Sequence, residues 1–68
     1  MEFIVKPNSP ATKVNVAGLD FPSEAIIGGV VRGDKVFIAE GATRIQAYDR
    51  VVIFSLPSAI GRIGRYFN

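Results

Sequence analysis

Gly33-Asp34 stands between two apolar, β-rich runs, Ala25–Val31 and Val36–Ala39. Gly-Asp at that spacing signals a two-residue hairpin turn of the primed type, because glycine supplies the positive φ such turns need. The stretch Glu24–Arg50 therefore reads as a strand pair with a return strand beginning at its end. Within the first run, Gly28-Gly29 marks either a bulge that bends the strand or a place where a ligand or another backbone approaches closely. Val51-Val52-Ile53-Phe54 follows with no polar alternate, the pattern of a strand covered on both sides.

The flanks supply edges and lids. Glu2–Lys6 is strand-like, and Pro7 ends it because proline cannot donate to a sheet ladder. Asn8-Ser9-Pro10 turns the chain. Ala11–Leu19 fits a short helical turn or an irregular loop, with Gly18 closing it. Phe21 is expected to plug the space between this connection and the sheet. Ala47-Tyr48-Asp49 forms a tight turn in which the Asp49 carboxylate caps backbone N–H groups. Pro57 suits the first turn of a helix, along which Ile60, Ile63 and Phe67 recur at helical spacing with Arg62 and Arg65 on the other face. The expectation is one α+β domain over residues 2–68. Its small, mainly antiparallel sheet or pseudo-barrel (strand, irregular connection, hairpin, strand) is closed by a C-terminal helix.

The residues absent from this chain narrow its chemistry. It has 68 residues, no cysteine and no histidine, so thiolate ligands, imidazole ligands and the commonest general base are missing. The carboxylates are scattered singly, and no catalytic or metal-binding residue is assigned. Eight Lys and Arg residues against six acids give a net charge of +2, too thinly spread for nucleic-acid binding through a basic face. The apolar runs are shorter than the roughly 18 residues that a membrane-spanning helix needs. Met1 leads directly into a strand-like stretch rather than a signal peptide.

Apolar residues nonetheless make up 49% of the chain, an excess for so small a domain that points to burial against a copy of itself or a neighbouring domain. Ile26, Ile27, Val30, Val36 and Ile38 exceed what one hairpin face can bury and are the candidate dimer-interface residues. Candidate ligand contacts are Gly28, Gly29, Arg32 and Lys35. The two cations flank the hairpin turn, where they are either solvated turn residues or contacts for a phosphate or carboxylate in a dimer cleft. Arg32-Gly33-Asp34 also spells an adhesion tripeptide, which turn geometry already explains.

The succession Phe21-Pro22, Ala25-Ile26-Ile27-Gly28, Val31-Arg32-Gly33, Val36-Phe37-Ile38, Glu40-Gly41-Ala42-Thr43 and Asp49-Arg50-Val51-Val52-Ile53-Phe54 resembles the TrkA C-terminal (RCK-C) domain. That domain is the second lobe of units that regulate potassium transporters and channels. Two positions depart from the pattern: Tyr48 stands where glycine commonly precedes the aspartate, and Ala39 where proline is common. Tyr48 implies a turn unlike the usual one, since glycine adopts positive φ freely and tyrosine does not.

The resemblance implies a non-enzymatic, cytoplasmic regulatory domain held at the inner face of the membrane by a potassium-translocating subunit. Its partners would be a second copy of itself and a preceding Rossmann-like nucleotide-binding lobe. Nothing here matches that lobe's G-x-G-x-x-G, so Met1 suggests an excised fragment, with no cofactor of its own. In some members the dimer interface binds a cyclic dinucleotide, notably cyclic di-adenosine monophosphate, so this or another nucleotide is the ligand the resemblance implies. The rival expectation is an oligomerisation module with no small-molecule ligand.

Overall fold

In the computed structural model, which describes residues 1–68, Gly33 has φ +60° while Asp34 stays at negative φ. This is a type II′ turn with glycine at its first central position. It joins β2 (Ala25–Arg32) to β3 (Lys35–Ile38) with Arg32 opposite Lys35 and Gly29 opposite Ile38. The return strand β4 (Arg50–Ser55) pairs with the other edge of β2, and β1 (Glu2–Ile4) lies outside β4. All pairings are antiparallel, in the order β1-β4-β2-β3. The sheet is open rather than closed into a barrel. The β2–β4 register shifts between Ile27 and Gly29, so the paired glycines form a bulge.

One face of the sheet, carrying Ile27, Val30, Val51 and Ile53, meets the rest of the core. Its cover consists of short 3-10 segments at Pro10–Thr12, Val16–Leu19, Pro57–Arg62 and Gly64–Tyr66. These and the adjoining loops contribute Ala11, Leu19, Ile45, Ala59, Ile63 and Phe67. The ambiguous connection is thus a helical turn, although Gly18 lies within it. Gly18 donates its N–H to Asn15 Oδ1 at 3.0 Å, and the left-handed closing position falls on Asp20 at φ +53°. Phe21 is half-buried rather than buried, and its ring packs toward the C-terminal 3-10 turn, 4.9 Å from Tyr66 and 6.2 Å from Phe67.

The C-terminal helix also exists, but as two 3-10 pieces closed by i→i+3 bonds such as Ala59 N–H to Leu56 O and Phe67 N–H to Gly64 O. Gly61 and Gly64 weaken the preference for an α-helix by about 0.8–1.0 kcal/mol each relative to alanine. Short 3-10 turns then suffice to bring Ile63 and Phe67 into the core.

Two expectations are corrected. β4 is covered on one face only within this chain: Val51 and Ile53 are buried, whereas Val52 is half-buried and Phe54 exposed. At the turn before β4, Tyr48 adopts φ +71°, so the turn keeps the left-handed residue that a glycine would supply. The Tyr48 side chain is 75% exposed and offsets little of the roughly 1 kcal/mol that a Cβ costs in this region. Tyr48→Gly is therefore expected to raise stability by about 0.5–1 kcal/mol, measured as a higher urea midpoint with an unchanged denaturant slope.

Candidate functional site

The strand register sorts the candidate residues between two surfaces. Ile27 opposes Ile53 and Val30 opposes Val51, all four pointing inward. Ile27 and Val30 are thus core residues of this chain, and the expectation that they face a partner is corrected. Ile26 opposes Phe54 and Val36 opposes Val31 on the outer face, where the same alternation places Ile38 beside Gly29 and Ile4 beside Arg50. Ile4, Ile26, Val36, Ile38 and Phe54 are each 62–74% exposed. Apart from Ile4, they make one apolar surface with half-buried Val31 and Val52. Arg50, opposite both Ile4 and Val31, separates Ile4 from it and pairs with Glu2 at 3.7 Å; beyond the other end of the strands is a Glu24–Arg62 pair at 3.3 Å. A backbone N–H bond and then the Arg62 guanidinium hold the Glu24 carboxyl below its ordinary range.

Gly28 shapes this surface. A Cβ added there would lie 2.5 and 2.9 Å from ring carbons of Phe54, so the ring rests against the bulge where any side chain would displace it. The close approach that paired glycines permit is therefore made here by a neighbouring strand's aromatic ring. At Gly29 an added Cβ would meet only Phe37 O, at 3.5 Å, an ordinary contact.

Arg32 is engaged in a way that local reading missed. Its Nε donates to Asp49 Oδ1 at 2.8 Å and its Nη2 to Asp49 Oδ2 at 2.7 Å and to Arg44 O at 2.9 Å. The guanidinium carbon lies 5.0 Å from the Phe37 ring centroid. Asp49 is 1% exposed, and its Oδ2 also accepts the Gln46 N–H at 2.9 Å, the capping role expected of it. The hydrogen bond to Asp49 raises the Arg32 pKa. Planar, bidentate recognition of a carboxylate is what arginine does best, and here the carboxylate belongs to the protein itself. Lys35 is exposed and belongs to none of the ion pairs.

Two shallow cavities flank the start of β2. One of about 360 Å³ is lined by residues that include Glu24, Ile26, Phe54 and Leu56. The other, of about 380 Å³, is lined by residues that include Val16, Phe21, Ile27 and Glu40. Gly28, Gly29, Arg32 and Lys35 line neither, so one copy of the chain does not bring these four around a common hollow. No group of carboxylates could hold a metal ion, and no helix is long and apolar enough to cross a membrane.

Comparison with known proteins places this geometry. Residues 1–68 match the description of the TrkA-C domain. The Trk system potassium uptake protein TrkA homolog 1 of Methanosarcina mazei is 45% identical over 48 residues, covering 71% of this chain and 11% of that protein. The Trk system potassium uptake protein TrkA homolog of Archaeoglobus fulgidus is 39% identical over 50 residues, covering 74% of this chain and 12% of that protein. A highly reducing polyketide synthase of Penicillium crustosum is 37% identical over 71 residues, covering 88% of this chain but 3% of its own length. The chain thus spans about a tenth of the length of the two Trk relatives.

Proposed function

Because this chain belongs to the TrkA-C domain family, we propose that it is a non-enzymatic regulatory lobe of a potassium transport system, one that pairs with a second copy and senses a small nucleotide. The match over residues 1–68 carries this reading, and the names of the two Trk relatives agree with it. The lobe would act in the cytoplasm, beside a Rossmann-like lobe of the same parent chain and a potassium-translocating membrane subunit. A ligand at the interface between copies would favour one inter-lobe geometry and bias the pore through it. That requires a ligand with different affinities for the two geometries, since equal binding shifts nothing.

One observation favours the rival reading, an association module with no small-molecule ligand. Arg32 is committed to Asp49, and the four candidate contacts surround no cavity in a single copy. A ligand site made from them needs the second copy to complete it. Thermal melting with a panel of mononucleotides and cyclic dinucleotides decides between the two. At a ligand concentration near 100 times the dissociation constant, binding to the folded state adds about 2.7 kcal/mol. For a domain this small that means a rise of roughly 10 °C or more. The sensing reading expects such a shift with one nucleotide and a smaller one in Lys35→Ala. No shift with any member of the panel leaves the association module as the function.

A further inference from the structure

We propose that the stretch of β2 edge left bare by β3 is a docking site for an extended peptide, apolar with a basic flank, that pairs there as the missing half of the fourth strand. β2 has eight residues and β3 four, so only residues 29–32 of β2 are paired on that side. β3 stops because the chain after it is tied elsewhere. Val16 N–H donates to Thr43 O at 2.9 Å and Ala17 N–H to Gly41 O at 3.0 Å, while the Glu40 N–H donates to Thr43 Oγ1 at 2.9 Å. The last backbone bond between β2 and the departing chain is Ala39 N–H to Gly28 O, already long at 3.5 Å. Beyond it, strand and loop wall the cavity of about 380 Å³.

The backbone on this bare edge points at the cavity and has no partner in the chain. Ile53, opposite Ile27, donates its N–H to Met1 O at 2.7 Å and accepts from the Met1 nitrogen at 2.9 Å. Ile27 therefore bonds nothing on β4, and its N–H and C=O face the other edge. Leu56 N–H donates to Glu24 O, and the same alternation turns the Ala25 C=O to that edge as well. Neither loop backbone nor any side chain meets these three groups. Ala25 and Ile27 are only 6% and 8% exposed, and Val16 and Phe21 complete an apolar wall. Unpaired backbone groups in such a place are costly. The outer edge of β3 differs, because Val36 and Ile38 there lie open to water.

Acceptor, donor and acceptor in that order along a strand are what one extended backbone satisfies, by strand addition. The charge of the site narrows the occupant. Glu40 is the one charged residue lining the cavity and belongs to no ion pair. A peptide that sets an apolar side chain against Val16 and Phe21 and a Lys or Arg beside Glu40 complements both.

Amide hydrogen exchange of the 68-residue chain, read residue by residue by NMR, tests this. The probe is an end-blocked peptide of alternating valine and threonine with a lysine at each end. In the free chain the Ile27 N–H should exchange roughly 10-fold faster than that of Val30, which is paired with β3. Peptide titrated to about 5 mM, against an expected dissociation constant near 1 mM, should slow Ile27 about 5-fold and leave Val30 unchanged. The same peptide N-methylated at every valine and threonine lacks the donors and should slow nothing. Glu40 is exposed and its side chain bonds nothing in this chain, so Glu40→Lys should keep the fold and weaken binding about 3-fold or more. An Ile27 N–H as slow as Val30 in the free chain overturns the proposal, as does no slowing at the highest peptide concentration. Equal slowing by the methylated peptide also overturns it, by assigning an apolar contact without backbone pairing. Protection at Val36 and Ile38 in place of Ile27 overturns it by moving the peptide to the free edge of β3. A nucleotide-induced melting shift bears on the regulatory reading alone, so the two can fail separately.

Discussion

Arg32→Ala is expected to lower the stability of the domain by about 3 kcal/mol, near the low end of the 3–5 kcal/mol seen when one member of a buried ion pair is removed. The low end applies because Arg32 is itself 34% exposed, so truncating it lets water approach the stranded carboxylate. For 68 residues, total stability of roughly 3–10 kcal/mol is ordinary, so a domain at the low end of that range would be about half unfolded at 25 °C. Urea denaturation followed by circular dichroism measures the loss. Adding Asp49→Asn to Arg32→Ala removes the buried charge while leaving an amide oxygen to accept the Gln46 N–H, and should restore about 1–2 kcal/mol. A double variant no more stable than Arg32→Ala would show that the cost arises elsewhere, for instance at the Arg44 carbonyl. Arg32 is therefore a poor probe of ligand binding, since its loss disturbs the fold.

Phe67→Ala is expected to cost more, about 3–5 kcal/mol. Phe67 is fully buried, stacks on Phe3 at 5.4 Å with 26° between the rings, and lies 6.2 Å from Phe21. Its carbonyl accepts the Lys6 N–H at 2.9 Å, so this one residue ties the last 3-10 turn to the chain just beyond β1. A methyl group in its place would open a cavity bounded by those two rings. At 4–8 °C per kcal/mol for a domain of this size, the melting temperature should fall by more than about 12 °C. Phe67→Leu, which keeps most of the volume, should fall by less than half as much. Equal losses for both variants would point to the stacking geometry rather than filled volume as the stabilising factor.

The features legible in the chain were those set by near neighbours. Gly33-Asp34 specified its turn because only glycine is comfortable at that φ, and Asp49 was recognisable as a cap from its place beside a tight turn. Partnerships across distance were not legible. The Arg32–Asp49 pair joins residues 17 positions apart, and nothing near either residue names the other. Ile27 and Val30 looked like Ile26 and Val36, because apolar residues on both faces of a strand erase the alternation that separates inside from outside. The bulge at Gly28 adds to this by shifting the register partway along β2. Of the two meanings offered for the paired glycines, the structure shows the bulge, and what comes close to it within this chain is the Phe54 ring. The C-terminal segment shows a milder version of the same limit: the spacing of Ile63 and Phe67 announces a helix, but the choice between α and 3-10 follows from its glycines and from where the core lies.

The strand order has a consequence in time. β2, β3 and β4 are contiguous between Ala25 and Ser55 and pair through nearby chain. β1 has its sole partner in β4, with Glu2 opposite Val52, 50 positions later. Contacts so distant form slowly because a long loop must close first. During synthesis at about 5–20 residues per second, β1 would wait roughly 3–10 s for β4 to be made. Val5 N–H donates to Asp49 O and Tyr48 N–H to Val5 O, so the turn that anchors Arg32 is also completed only when the N-terminal segment arrives. Within this domain, the strand made first is the last one placed.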